Sequence, residues 1–154
     1  MQRSATREIF GYTPDGTVVE RIVLAHEDQI RVSIITFGAA VQALEIPDRA
    51  GKLDDIVLGH DDLQSYIDTR SFFGATIGRY ANRIAGGSFV LDGQSVRLAQ
   101  NDGANALHGG PGGFDRKIWS IVDVGADPSP FVILALSSED GEEGTGISLL
   151  PILA

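Results

Sequence analysis

The amino-acid sequence predicts an all-β protein, a sandwich or barrel of antiparallel sheets, from three observations. Apolar and polar residues alternate with a period of two along most of the chain, as they do in half-buried strands. The 154 residues include 19 glycines and 6 prolines, which helical cores avoid and tight turns need. One turn is explicit, because Asp92-Gly93 separates two alternating runs and favours the positive φ angles of a type I′ hairpin.

The first half of the chain predicts a series of strands and one helix. Residues 29–38 (QIRVSIITFG) and 39–48 (AAVQALEIPD) alternate as two strands, and Pro47 ends the second because proline cannot donate a ladder hydrogen bond. After a turn, residues 54–60 (DDIVLGH) predict a short apolar strand. Residues 61–70 (DDLQSYIDTR) instead space their apolar positions i, i+3, i+4, which predicts a helix of one or two turns.

The second half continues in strands and loops. Residues 71–87 are apolar but rich in glycine, which predicts a buried strand entering a loop. Residues 87–102 contain the Asp-Gly hairpin, and residues 117–140 predict two strands joined by a loop of Gly, Asp, Pro and Ser. Strands therefore outnumber helices by several to one, and no repeat or linker divides the chain.

Net charge, cysteine content and the lack of long apolar runs limit the classes of binding partner and the location of the chain. The chain carries 12 Lys and Arg against 21 Asp and Glu, a formal net charge of −9, so nucleic acid and anionic membranes are poor candidates. The absence of cysteine excludes disulfides and thiolate chemistry. The first residues lack the apolar core of a secretory signal, and no apolar run approaches the roughly 20 residues of a membrane span. A cytoplasmic location is the default expectation.

Most catalytic motifs are missing. The sequence has no G-x-S-x-G, Walker or H-E-x-x-H motif, and the glycines of LHGGPGGFD lack the strand and helix context of a dinucleotide site. His60, Asp61 and Asp62 are adjacent, and adjacent side chains on a strand point to opposite faces, so a strand end and helix cap are preferred to a metal site. His26 is expected at the surface of a polar strand edge.

His108 stands apart from the other histidines. It lies between an apolar strand end and four glycines, Gly109, Gly110, Gly112 and Gly113. Glycines let backbone and ligand approach closely, which places a histidine framed by them at a pocket wall. The alternative interpretation is a loop histidine bonded to backbone.

Arg79, Asn82 and Arg83 lie in a segment with apolar surroundings, where unpaired polar groups are costly. Two interpretations stay open for them. One is internal salt bridges, for example to Asp92 or Asp102. The other is hydrogen bonding to a polyhydroxyl ligand, because Asn and Arg suit the donors and acceptors of sugar hydroxyls.

Longer blocks of the chain resemble the aldose 1-epimerase (galactose mutarotase) family. The similarity runs in family order from about position 9 to 144, and its most specific part is the pairing of GRYANRIAGGSF with NALHGGPGGFDRKIW. The resemblance implies part of a β-supersandwich of large antiparallel sheets, with a sugar held in an open cleft. It implies a reaction without cofactor or metal that interconverts the α and β anomers of free hexoses such as galactose or glucose.

The resemblance also implies which residues contact the sugar. The residues matching the family's sugar ligands are Asn82, Arg83 and His108, which bind and orient the substrate. Ring opening needs a base for the anomeric hydroxyl and an acid for the ring oxygen. In the family, the acid is a second histidine further along the chain and the base is a glutamate near the carboxyl end.

The similarity stops after DGEEG. Residues 1–144 are therefore predicted to be the amino-terminal portion of an aldose 1-epimerase-like domain, and residues 145–154 (TGISLLPILA) a divergent tail of out-of-frame or truncated sequence. No histidine follows His108, and Glu142 and Glu143 belong to the matching turn, so no catalytic residue is assigned. Whether the chain is an enzyme is left open by these absences.

Three functional hypotheses follow. The first is an epimerase of free hexoses, truncated and inactive or nearly so. The second is a non-catalytic carbohydrate-binding remnant of the same fold, and the third is a sugar-phosphate epimerase, ranked last because no phosphate-binding cluster is present. The expected partner is a small-molecule sugar, and uncovered sheet edges predict self-association.

Overall fold

The computed structural model describes residues 3–27, 29–144 and 152–153. The predicted all-β class is confirmed, because only one six-residue α-helix and three short 3₁₀ helices accompany the strands in these ranges. The strands are β1 (Arg3–Tyr12), β2 (Val18–His26), β3 (Ile30–Ile35), β4 (Ala40–Pro47), β5 (Leu53–Asp55), β6 (Arg83–Ile84), β7 (Ser88–Leu91), β8 (Gln94–Arg97), β9 (Ala106–Leu107), β10 (Ser120–Gly125), β11 (Phe131–Leu136) and β12 (Ile152–Leu153), and the helix is α1 (Leu63–Asp68).

Strands β1 to β5 form a five-stranded antiparallel sheet in sequence order. The predicted strands at 29–38 and 39–48 are β3 and β4, and β4 ends at Pro47 as expected. One face of this sheet packs on α1 through a cluster in which Val19, Ile35, Leu63 and Tyr66 are buried. The helix therefore covers the core that the alternation of the strands creates.

Helix α1 begins at a capped end. The Asp62 carboxylate accepts a hydrogen bond from the Ser65 backbone N–H at 2.8 Å, which satisfies one of the orphan donors of the first turn. This hydrogen bond also lowers the pKa of Asp62, because it favours the ionised carboxylate. The predicted helix cap is confirmed.

The hairpin prediction is confirmed in its turn geometry. Strands β7 and β8 pair antiparallel with Leu91 opposite Gln94, so two residues form the turn. Asp92 has a φ of 49° and Gly93 a φ of 78°. Positive φ at both central residues is the signature of a type I′ turn.

The two strands predicted within 117–140 are β10 and β11, which pair antiparallel, and β12 adds to β11. A second core cluster lies beside them, in which Phe114, Trp119 and Leu134 are buried. The Trp119 indole N–H donates to the Phe114 carbonyl at 3.2 Å. This bond satisfies the one polar atom of an otherwise apolar side chain.

Two sequence predictions of strands are wrong. Residues 54–60 were expected to form an apolar strand, yet β5 ends at Asp55 and Leu58 is 69% exposed. Residues 71–87 were expected to start with a buried strand, yet the chain has positive φ at Phe72 and Gly74 and joins a strand only at Arg83. Positive φ interrupts the extended conformation that a ladder requires, so these apolar residues pack from irregular backbone instead.

No helix among the described residues is long and apolar enough to cross a membrane.

Candidate functional site

A short strand pair brings the two most distinctive sequence segments together. Strands β6 and β9 pair with Arg83 opposite Leu107, which sets Asn82 against His108. The side chain of Asn101 holds β9 in place, accepting from Leu107 N–H at 2.7 Å and donating to the Leu107 carbonyl at 2.9 Å. Residues separated by more than 20 positions in sequence thus become neighbours through a two-residue ladder.

Asn82 and His108 bind each other reciprocally. The His108 backbone N–H donates to the Asn82 carbonyl at 3.1 Å, and the Asn82 backbone N–H donates to His108 Nδ1 at 3.0 Å. Because Nδ1 accepts a proton donor, the neutral imidazole carries its own hydrogen on Nε2. His108 therefore offers an N–H donor to a ligand from Nε2.

The backbone at this contact is in the left-handed region. Asn82 has a φ of 66° and His108 a φ of 50°, a conformation that is uncommon outside glycine and tends to persist at functional sites. The following Gly109, with a φ of 85°, lies so close to the neighbouring loop that an added Cβ would be 1.8 Å from the Gly78 carbonyl oxygen. Glycine is required there by space and by conformation.

Arg83 pairs with Asp102, with Nε and Oδ2 2.6 Å apart. The internal salt-bridge interpretation is therefore correct for this pair, whereas Asp92 lies in the hairpin turn. The expected burial is wrong, because the side chain of Arg83 is 55% exposed and Asn82 is also exposed. Their polar groups face solvent, where a ligand has access to them.

Arg79 takes a different direction from Arg83. Its guanidinium donates to Ser138 Oγ at 2.6 Å and to the Glu139 carbonyl. Ser138 and Lys117 in turn hydrogen-bond to the Glu142 carboxylate. These contacts join the turn at 139–144 to the site, and the Lys117 and Ser138 hydrogen bonds lower the pKa of Glu142.

The glycine loop after His108 is held by hydrogen bonds from one cationic and to one anionic side chain. Arg70 donates to the carbonyls of Gly110 and Pro111 at 2.8 and 3.1 Å, and Glu143 accepts from the Gly112 N–H at 3.0 Å. Sequence reasoning missed Arg70, and it treated Glu143 only as part of a turn. The partners of Arg70 lie about 40 positions away, so no local pattern reveals them.

Asn82 also borders a small pocket next to the loop. Its walls combine an exposed aromatic ring, two polar or charged side chains beside Asn82, apolar groups and glycine backbone. The lining residues are Arg79, Tyr80, Asn82, Ile84, Leu98, Ala106, Gly109, Gly110 and Glu143.

The other two histidines have structural surroundings. His60 Nε2 is 3.0 Å from Ser71 Oγ, and its ring packs edge-on against Tyr66. His26, expected at the surface, is only half-exposed, and its buried Nδ1 has no hydrogen-bond partner among the residues described by the structure. Over the same residues, no group of three or more His, Asp or Glu side chains is arranged to hold a metal ion.

Comparison with known proteins gives consistent matches. The aldose 1-epimerase family model matches residues 20–150. Galactose mutarotase of Bos taurus is 46% identical over 144 residues, which is 92% of this chain and 40% of that protein. Aldose 1-epimerase of Escherichia coli (strain K12) is 39% identical over 131 residues, 85% of this chain and 37% of that protein. The chain thus spans about 40% of the length of the curated relatives it matches.

Solved structures agree in fold. Galactose 1-epimerase from Lactobacillus acidophilus NCFM superposes with a TM-score of 0.79 at 24% identity, over 92% of this chain and 41% of that chain. An aldose epimerase homologue from C. elegans superposes with a TM-score of 0.74 at 30% identity, over 80% of this chain and 37% of that chain. The predicted mutarotase-like arrangement of antiparallel sheets is confirmed, and the chain belongs to the aldose 1-epimerase family.

Proposed function

We propose that the chain binds a free hexose, such as galactose or glucose, through Asn82, Arg83 and His108, as the sugar-binding part of an aldose 1-epimerase. The observation that carries the proposal is the reciprocal bond between Asn82 and His108, which leaves Nε2–H of the imidazole as its donor. The Asn82 amide adds both donors and acceptors, which matches the mixed hydrogen-bonding of sugar hydroxyls.

Charge favours a free sugar over a sugar phosphate. Arg83 is paired with Asp102 and Arg70 with Asp115, so neither guanidinium offers an uncompensated positive charge to a phosphate. The net charge of −9 adds a repulsive field for anions. A neutral sugar needs no such charge, and its hydroxyls can form hydrogen bonds with these side chains while the ion pairs stay intact.

The reaction proposed for the family is the interconversion of α and β anomers, which requires an acid and a base besides the sugar ligands. We assign neither role to a residue of this chain, and we treat residues 1–144 as the family portion and 145–154 as a divergent tail. Of that tail, only residues 152–153 lie within the described structure. We therefore expect the chain to bind sugar without accelerating mutarotation. The second candidate function is that of a non-catalytic carbohydrate-binding protein.

Two measurements on the purified chain test the proposal. Saturation-transfer NMR with galactose and glucose should show contact with the chain, and His108→Ala should abolish it while leaving the unfolding temperature unchanged. Polarimetry of freshly dissolved α-D-galactose should show the buffer rate of mutarotation. An acceleration that His108→Ala removes would mean that the chain supplies its own acid and base, and absence of sugar contact from folded protein would refute the binding proposal.

We also propose self-association through the outer edge of β11. Strand β12 covers only Ala135 and Leu136 of that edge, and among the described residues no other strand pairs with it there. An open edge presents unpaired N–H and C=O groups to another chain. Light scattering after size exclusion should give more than one chain per particle, and a monomer at all concentrations would contradict this.

A cytoplasmic location remains a prediction, to be measured by cell fractionation with an antibody to the chain.

A further inference from the structure

Arg70 makes more directed contacts than its position after a short helix would suggest. Its Nε and Nη2 donate to the two oxygens of Asp115 at 2.8 Å each, a bidentate pair in which the Asp115 side chain is only 4% exposed. Nη2 also donates to the Gly110 carbonyl and Nη1 to the Pro111 carbonyl. Four of the five guanidinium N–H groups are thus directed at fixed acceptors, which a lysine cannot reproduce.

The same guanidinium lies over the ring of Phe72, which in turn contacts His108, one of the residues proposed to bind the sugar. The Arg70 Cζ is 4.9 Å from the centroid of the Phe72 ring, and the Phe72 and His108 centroids are 4.7 Å apart. Phe72 has a φ of 59°, which is unfavourable for a bulky residue and persists only where its surroundings hold it. Arg70 therefore contacts Phe72, and Phe72 contacts His108 with the two ring planes tilted by 59°.

We propose that Arg70 is a positioning residue of the sugar site: it holds both the ring of Phe72 and the loop after His108, and so fixes the orientation of the imidazole. This inference rests on the proposed function for its effect on sugar binding, though not for its effect on the imidazole itself. Within the described part of the chain, the His108 ring makes one hydrogen bond, at Nδ1, which still leaves the ring free to tilt about that bond. Contact with the Phe72 ring limits that tilt, and the Arg70 hydrogen bonds to Gly110 and Pro111 fix the backbone that carries the imidazole.

The readout is the tautomeric state of His108, measured by ¹⁵N-¹H correlation NMR of the imidazole nitrogens. The chain contains 3 histidines, so the His108→Ala spectrum assigns the signals by difference. In the unmodified chain we expect a single Nε2–H tautomer for His108. This measurement needs no sugar, so it separates a failure of this inference from a failure of the proposed function.

The main variant is Arg70→Lys, which keeps a positive charge for Asp115 but loses the four directed hydrogen bonds. We expect mixed tautomers at His108, unchanged signals for His26, and galactose affinity lower by about tenfold, the lower end of what loss of a supporting partner costs at metal-binding histidines. Arg7→Lys is the matched control, because Arg7 also forms a bidentate pair, with Glu20, between the first two strands of the large sheet.

A second variant protects the test against misfolding. Phe72→Leu removes the ring against His108 and leaves the Arg70–Asp115 pair intact, and it should also give mixed His108 tautomers. A folded Arg70→Lys chain with a pure Nε2–H tautomer would overturn the proposal. If Arg70→Lys does not fold, the same pure tautomer in Phe72→Leu would overturn it. Mixed His108 tautomers in the Arg7→Lys control would also overturn the proposal, because the change would then not depend on the contacts of Arg70.

Discussion

The five-stranded sheet and the loops around His108 are built by different means. In the sheet, consecutive strands pair in sequence order and inward side chains such as Val19, Ile22 and Ile35 are fully buried. In the loops, two-residue strands β6 and β9 are the regular structure, and side chains bond to backbone groups instead. Left-handed φ angles at Asn82 and His108 accompany these bonds.

The difference shows where stability and where binding geometry come from. The sheet gains stability from buried apolar area, which depends on many contacts of similar kind. The loops depend on a few directed contacts, such as the Arg70 hydrogen bonds to Gly110 and Pro111. Loss of one sheet contact should therefore lower stability globally, while loss of one loop contact should change the site first.

The largest effect is expected from Ile35→Ala in the sheet. Ile35 is 0% exposed within the cluster under α1, and such truncations cost about 2–5 kcal/mol of unfolding free energy. Urea unfolding measures the change, and Ile30→Ala at the exposed end of the same strand is the control. Sugar binding by the fraction that remains folded should be normal, so a lost site in folded protein would contradict the comparison.

Gly109→Ala should act on the site as well as on stability. The added Cβ would be 1.8 Å from the Gly78 carbonyl oxygen at a φ of +85°, so the loop must move at a cost of about 2–4 kcal/mol. Galactose contact in saturation-transfer NMR should disappear at temperatures where the chain is still folded. Retained binding would show that the loop tolerates displacement.

Gly93→Ala tests the cost of a positive φ angle alone, without the steric crowding that also opposes Gly109→Ala. Gly93 also has positive φ, 78°, but nothing lies within 4 Å of an added Cβ, so only the left-handed backbone penalises alanine, by about 1 kcal/mol. Thermal unfolding should show a small loss, with galactose contact unchanged. A loss as large as that of Gly109→Ala would mean that crowding is not the cause there.

The smallest effect is a pH dependence from Glu142. Its pKa lies below the ordinary 4.5 because Lys117 and Ser138 donate hydrogen bonds to it, so its contribution is present above about pH 4.5 and is lost as pH falls through the lower folded-state pKa. Lys117→Met should lower stability at pH 7 by no more than about 1 kcal/mol, and by progressively less as the pH falls below 4.5 through the lowered pKa of Glu142. A difference that persists at pH 2 would point to lost packing of the Lys117 chain.

Sequence reasoning succeeded where the cause of structure is local. Alternation identified β3 and β4, and the Asp92-Gly93 pair fixed a turn whose geometry depends on those two residues alone. It failed at residues 54–60, where Ile56 and Leu58 are 56% and 69% exposed, so the apolar run there forms neither a strand nor part of the core.

The site was only partly visible in sequence for the same reason. Glycines around His108 indicated a close approach of backbone, and Asn82 and Arg83 were identified by resemblance to the family. The Arg70–Asp115 pair joins residues 45 positions apart, and such a contact follows from tertiary packing rather than from any spacing. Arginine after a helix is too common to predict such a role.

The charged rows on β1 and β2 have a consequence for how the two strands find each other. Glu8 lies directly opposite Arg21 and binds it, and Arg7 binds Glu20, which lies opposite Ile9 and so diagonally across the ladder from Arg7. Sliding one strand by two residues would keep every side chain on its own face, so the apolar pattern alone could not reject that arrangement. A slip that sets Glu8 against Val23 would, however, move Arg7 opposite Leu24 and away from Glu20, whereas the opposite slip would set Arg7 directly against Glu20. The ion pairs thus disfavour one of the two slipped registers of this hairpin, a role for which their modest contribution to stability is sufficient.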